Sequence, residues 1–269
     1  MSTGREYIEP LWEELSKETS FAGRPLYFLN ETDSTNRVAL EMAARGDGPL
    51  LVLAEGQSRG QGRLGRSWFS PPGVGIYLSL LYRPHLAPED LAKATLAAGL
   101  AVGRALKEVA GVEVKLKWPN DLLLSGKKTG GILCESRLGR GGELPAVVVG
   151  VGLNINNTAE QIPPELAQRA TSLRLESGRG WDRGLLPGTI ITQLDAQITR
   201  LERGEFSAVL AEWHRYDALI NQELAWLTPT GEVICGIALG PGPDGILQVR
   251  DHRGEVHQVL SGDLSLPTP

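Results

Sequence analysis

Nine residues from Gly60 to Trp68, GQGRLGRSW, hold three glycines and two arginines, and Arg59 stands just before them. Glycine lets backbone N–H groups approach an anion closely. Arginine offers phosphate or carboxylate a planar, charge-assisted fork. The chemistry such a loop suits is the binding of an anion, although a lone Gly/Arg cluster also suits a surface hairpin with solvated arginines. Three further stretches bear polar groups. In KWPNDLLL, Lys117 to Leu124, a Trp-Pro-Asn-Asp bend between apolar runs presents Asn120 and Asp121 to a ribose, a phosphate or Mg2+, and Lys127 and Lys128 follow; an ordinary turn uses the same residues. TDSTN, 32 to 36, crowds Ser34, Thr35 and Asn36 at a helix start, where capping accounts for one hydroxyl. GVGLNIN, 150 to 156, ends an apolar run in glycine and asparagine, which a tight turn explains equally well.

The familiar nucleotide signatures fail. A phosphate-cradling GxxxxGK[ST] would fall on DLLLSGKK, where Asp121 replaces the first glycine and Lys128 the last hydroxyl residue. Gly60 to Gly65 satisfies GxGxxG, but it leads through SWFSPPG into a strand and not into a helix.

The elements that must position these residues follow from periodicity. Ile8, Leu11, Trp12 and Leu15 predict a short amphipathic helix over 8–18. A strand is expected from Pro25 to Leu29, a helix from the TDSTN cap to Gly46, a buried strand over 50–55 and an alternating strand over 73–83. From Pro88 an Ala-rich helix with a small-residue face runs to Gly111, as if packed close to a sheet. VKLKW, the two arms of DLLLSGKKTGGILCESR about a Ser-Gly turn, and PAVVVGVGLNI read as neighbouring strands. Helices are expected near 186–203 and 205–216. Beyond Asn221 short strands parted by PTG, GPGPDG, DHRG and SGD read as a small antiparallel barrel.

Composition limits the setting. With 269 residues the chain can bury one good core and add a small second unit. A net charge of -5 argues against broad binding to nucleic acid or anionic membrane. Cys134 and Cys235 belong to no metal or disulfide pattern, which fits a reducing cytoplasm. The first thirty residues lack the apolar core of a signal peptide, and no apolar run approaches a membrane span.

TDSTN, AEGQSRGQGRLGRSWFSPPG, KWPNDLLLSGKKTGGIL and GVGLNIN, in this order, resemble the biotin protein ligases over nearly all of 25–269. The resemblance implies an α+β fold: a mixed sheet flanked by helices, of the class II synthetase-like biotin/lipoate ligase type, with a C-terminal SH3-like β-barrel. It divides the chain into an N-terminal helical extension (1–24), a catalytic biotin/ATP domain (25–221) and the barrel (222–269). It implies that biotin is activated by ATP, with Mg2+, to biotinyl-5′-AMP and transferred to a lysine of a biotin carboxyl carrier domain of acetyl-CoA carboxylase or a related carboxylase. Lys128 and Arg63 would be catalytic. Ser34, Thr35, Asn36, Gln57, Gln61, Gly62, Arg63, Lys128 and Gly131 would hold biotin, with the first four around the ureido ring. Arg63, Arg66, Trp68, Asn120 and Asn154 would hold ATP, and Asp121 the Mg2+. The loop would open to admit ligands and close to keep water from the mixed anhydride.

The family loop often reads GRGRxGR, so Gln61 removes one charge. Pro267 stands near the place where some members carry a nucleotide-facing arginine. Family homodimers carry over as an expectation. A lipoate or octanoate ligase runs the same adenylate chemistry, but its apolar acyl chain gives Ser34, Thr35 and Gln57 nothing to bind. A repressor is disfavoured, because about 24 residues before the first strand are too few for a three-helix DNA-binding module. Joint retention of Lys128, Arg63 and Arg66 speaks against a non-catalytic scaffold.

Overall fold

The computed structural model describes residues 17, 19–85, 90–137, 144–227, 233–259 and 264–265. The helix expected over 8–18 (except residue 17), the start of the long helix at Pro88, the PTG and SGD turns and Pro267 lie outside them.

Seven strands form the main sheet: β1 (Leu26–Thr32), β2 (Leu50–Gln57), β3 (Gly75–Tyr82), β4 (Lys115–Lys117), β5 (Asp121–Leu124), β6 (Lys127–Arg137) and β7 (Ala146–Asn154). Their order is β1-β2-β3-β7-β6-β5-β4. Only β1 and β2 are parallel; every other ladder is antiparallel. The mixed sheet expected from sequence is therefore present.

Helix α1 (Thr35–Ala44) lies on one face, where Ala39 and Ala43 pack with Leu50, Val52, Leu81 and Val148. The other face carries α2 (Leu91–Ala110), α4 (Leu185–Glu202) and α5 (Phe206–Trp213) over a larger apolar core. A five-residue helix, α3 (Leu173–Ser177), has no counterpart in the periodicity, since one turn is too short to show it. The small face of α2 meets β4: a Cβ on Gly103 would touch Val114, and one on Gly99 would touch Leu116. Gly111, at φ 65°, closes α2 as expected. Strand β3 departs from expectation. Its composition suggested alternation, yet all its residues are buried, because helices cover both faces of the sheet.

Strands β8 (Glu223–Leu227), β9 (Val233–Pro241), β10 (Leu247–Asp251), β11 (Val256–Val259) and β12 (Leu264–Ser265) form a second, wholly antiparallel sheet, ordered β11-β10-β9-β8-β12. It corresponds to the small SH3-like unit expected beyond Asn221. Its β9–β10 turn docks on the main sheet, where Trp118 Nε1 donates to the Gly245 carbonyl at 3.0 Å. A Cβ on Gly245 would lie 3.2 Å from Lys93 N in the first turn of α2. Among the described residues no helix is long and apolar enough to cross a membrane.

Candidate active site

The Gly60–Trp68 stretch is a hairpin with a laddered base. Gln57 N donates to Ser70 O at 3.0 Å, Trp68 N to Gly60 O at 2.8 Å and Gly62 N to Arg66 O at 2.7 Å. Backbone bridges pair Gln57 with Ser70 and Gln61 with Ser67. Gly60 has a steric reason, since a Cβ there would fall 2.5 Å from Trp68 O. At the tip Leu64 and Gly65 take φ 57° and 72°, and Leu64 is 71% exposed. Gln61, which removes one charge from the loop, bridges through its backbone to Ser67 at the base.

The Ser-Gly turn between β5 and β6 is a two-residue hairpin with φ 50° at Ser125 and 78° at Gly126, the left-handed pair that matches strand twist. The β5–β6 register slips between Leu122 and Leu123, leaving Thr129 without a partner on β5. Such a bulge re-aims neighbouring side chains. Lys128 is also held from its other side: its N–H donates to Arg169 O at 2.8 Å, and its carbonyl accepts from Thr171 N at 2.9 Å. The lysine crosses Gly131, where a Cβ would lie 3.3 Å from its Cε. Its ammonium reaches Asp121 Oδ1 at 2.5 Å and sits 5.3 Å from the Trp68 ring centre.

GVGLN is not a turn. Gly150 and Gly152 lie inside β7, two residues apart and hence on one face of the sheet. A Cβ on Gly150 would fall 2.1 Å from Asn36 Oδ1, and one on Gly152 2.4 Å from Trp68 Nε1. The glycines make a flat floor on which the α1 start and the hairpin rest. Asn154 ends β7 with its amide donating to Thr171 O at 3.0 Å. Asn120, expected to point outward, donates its amide to Ile132 O at 2.8 Å, so one of its polar groups serves the strand pairing.

At the start of α1, Ser34 occupies the cap position but makes no side-chain cap bond, so capping does not account for its hydroxyl. Thr35 and Asn36 are buried, with Thr35 N donating to Gln57 Oε1 at 2.8 Å and Asn36 Nδ2 to Glu135 Oε2 at 2.7 Å.

These parts enclose one cavity of about 960 Å³. Ser34, Thr35, Asn36, Gln57, Gln61, Gly62, Arg63, Arg66, Trp68, Asn120, Asp121, Lys128, Gly131 and Asn154 all line it, so the residues singled out in four separate stretches come together. Burial holds the Arg63 guanidinium below its ordinary pKa; Asp121 opposes that shift and Arg66 adds to it. Asp121 is the one acidic residue in the described lining.

Sequence reasoning missed the wall from Asn157 to Ala170. Ile162, Pro163, Leu166, Gln168 and Arg169 line the cavity, and Asn157 is buried with neither side-chain atom partnered among the described residues. NINN held a trace of it, as three asparagines in four residues are too many for one turn.

The sequence profile of the Biotin/lipoate A/B protein ligase family matches residues 28–154. The chain is similar to the bifunctional ligase/repressor BirA of Bacillus subtilis (strain 168), with 32% identity over 251 residues, covering 93% of this chain and 76% of that protein. It is also similar to the biotin--[acetyl-CoA-carboxylase] ligase of Mycobacterium tuberculosis, with 32% identity over 274 residues, covering 97% of this chain and 98% of that one. Among solved structures, the biotin protein ligase from Aquifex aeolicus in complex with biotin and ATP superposes with a TM-score of 0.77 at 29% identity, over 91% of this chain and 99% of that one. An anion-collecting hairpin, a pinned lysine and a glycine floor occupy one cavity of a fold shared with these enzymes, and the chain belongs to the biotin protein ligase family.

Proposed function

We propose that the cavity activates biotin with ATP to biotinyl-5′-AMP and passes biotin to one lysine of a biotin carboxyl carrier domain of acetyl-CoA carboxylase or a related carboxylase. The carrying observation is the order of groups along the glycine floor. Neutral polar side chains cluster at the level of Gly150, where Asn36 packs. Trp68 and Lys128 gather one same-face step further, at the paired Gly152 and Gly131. That step is roughly 7 Å. Biotin has this profile, a neutral ureido ring at one end and a carboxylate at the other. Lipoate or octanoate would leave the polar end without partners, a penalty of about 1–3 kcal/mol for each stranded group.

In the first step a biotin carboxylate oxygen attacks the α-phosphorus of ATP and pyrophosphate leaves. In the second the carrier amine attacks the mixed anhydride and AMP leaves. Both reactants of the first step are anions, so Arg63, Arg66 and Lys128 offset their repulsion, and Lys128 meets charge developing at the carboxylate. Trp68 covers the nucleotide, and Asn120 and Asn154 border it. Asp121 is a hard oxygen donor in a cavity that takes phosphates, which fits Mg2+. When bound, the metal offsets phosphate charge.

In this reading residues 25–221 are the catalytic domain and 222–269 the SH3-like domain, and the protein works in the cytoplasm. It binds no specific DNA, in keeping with its charge of -5, and it pairs as a homodimer, as family members often do. Incubation with ATP, Mg2+, radiolabelled biotin or lipoate, and a carrier domain tests the activity: label from biotin on the carrier is expected, and label from lipoate alone would overturn it. A sequence-selective, salt-resistant gel shift would overturn the DNA statement, and sedimentation decides the dimer.

A further inference from the structure

At the α1 end of the cavity the hydrogens of a buried polar chain can be counted. Asn36 Nδ2 lies 3.1 Å from Leu133 O and 2.7 Å from Glu135 Oε2. A carbonyl and a carboxylate only accept, so this nitrogen is the donor and Asn36 Oδ1 is an acceptor. Ser79 Oγ lies 2.6 Å from Asn36 Oδ1 and 2.7 Å from Thr35 Oγ1. It has one hydrogen. Thr35 Oγ1 lies 3.1 Å from Gln57 Oε1, itself an acceptor because Thr35 N donates to it at 2.8 Å. If Ser79 gave its hydrogen to Thr35, and Thr35 gave its own to Gln57, two bare acceptors would face each other at 2.6 Å, the shortest contact of the set. The other direction leaves bare only the longest, at 3.1 Å. Ser79 therefore donates to Asn36, and Thr35 donates to Ser79.

We propose that Ser79 is a specificity-determining positioning residue: by taking the Thr35 hydrogen it makes Thr35 Oγ1 and Gln57 Oε1 a paired acceptor face that selects a ring bearing an N–H. Ser79 is fully buried and does not line the cavity, so it acts only through the two lining residues it touches, Thr35 and Asn36. Thr35 and Gln57 do line it. Two lone-pair faces at 3.1 Å repel each other, and a ring N–H pointed at them relieves the repulsion. A ring offering oxygen at that point adds a third acceptor. Direction is imposed by Leu133 O and Glu135 through Asn36. The inference rests on the biotin reading, which puts the cyclic urea at this end.

The test compares the affinity of wild type, Ser79→Ala, Thr35→Val and the double variant for biotin and for the two cyclic carbamates in which one or the other ring N–H is replaced by oxygen. Wild type should reject at least one carbamate by about 100-fold or more. In Ser79→Ala the Thr35 hydrogen is released and can meet the ring oxygen, so that ratio should shrink by about tenfold or more. KM for ATP should stay unchanged, and Ser79→Thr should restore the ratio. In the Thr35→Val background Ser79→Ala should leave the ratio where it is. If Ser79→Ala fails to fold, Ser79→Cys, whose sulfur is a weak acceptor for the Thr35 hydrogen, should show the same shrinkage. An unaltered ratio in the folded variant overturns the role of Ser79 alone. A wild type that binds both carbamates as it binds biotin overturns the placement of the ring.

Discussion

Lys128 is fixed along its backbone by a bulge on one flank and by Arg169 and Thr171 on the other, while its side chain is one-third exposed. Truncating it removes charge and little packing. Lys128→Ala is predicted to lower the rate of biotin-dependent pyrophosphate release by 100-fold or more, on the order of 3 kcal/mol on the barrier, with the melting temperature nearly unchanged. A wild-type rate in that variant would show that the charge is not used. Gly152 is the complementary case. A Cβ there would press on Trp68 at 2.4 Å, in the hydrogen-bonded base of the hairpin. Gly152→Ala should therefore raise KM for ATP by about tenfold while costing about 1–3 kcal/mol of stability; an unchanged KM would remove Trp68 from the nucleotide. At this scale the sequence was legible where a side chain supplies chemistry, as at Lys128, Arg63 and Thr35. It was silent where a missing side chain does the work, because GVG looks the same in a turn and in a floor. It was silent too on Ser79, an unremarkable hydroxyl in an apolar strand whose neighbours are set only by folding.

Among the elements, the glycine and arginine hairpin departs most from its sequence reading, in which the whole of Gly60–Trp68 is mobile without ligand. The base is hydrogen-bonded up to the Gly62–Arg66 pair, and the tip, with Leu64 exposed, is closed by a longer bond from Arg66 N to Arg63 O at 3.2 Å. Conformational freedom belongs to the tip, where Arg63 and Arg66 repel each other until an anion arrives. Brief trypsin treatment of the free protein should cut after Arg63 and Arg66 and spare Arg59, and biotinyl-adenylate should suppress both cuts. Equal digestion with and without the adenylate would show that the hairpin does not close. Helix and strand identities were readable from period and from stop signals such as Gly111 and Ser125-Gly126. The Asn157–Ala170 wall was not, since an irregular segment has no period and gains its position only in the fold, from contacts such as Ser172 Oγ to Asn157 O and its pairing with Lys128.

Across the whole molecule the two sheets meet over a buried acid. Asp217 is 7% exposed; its Oδ1 accepts from Leu219 N at 2.8 Å, and its Oδ2 has no partner among the described residues. Burial raises its pKa above 3.8, against backbone hydrogen bonds from Leu219 and Ile220 and the nearby His214. The folded state thus holds this proton more tightly than the unfolded chain. Stability is lost as pH rises from 3.8 towards the folded value, and the cost is fully present at neutral pH. Asp217→Asn keeps the Oδ1 acceptor and drops the charge. It should be more stable than wild type at pH 7 by on the order of 1 kcal/mol, with the gap closing below pH 3.8. A gap that widens in acid would contradict the assignment. The change of texture near Asn221 announced a second unit, yet nothing in the sequence said which groups the seam would trap.

The bond from Trp118 to the Gly245 carbonyl spans 127 positions of chain. On a ribosome adding roughly 5–20 residues per second, the turn that bears Asn120 and Asp121 waits about 6–25 s for its brace to be made. The cavity is therefore finished only after the turn bearing Gly245 has emerged, and a growing chain can hold most of its fold without making a reactive anhydride. Ribosome-stalled chains that expose residues up to 227 should release little pyrophosphate from ATP and biotin, and chains exposing residue 259 should release it at the full rate. Equal rates would mean that the turn sets without its partner.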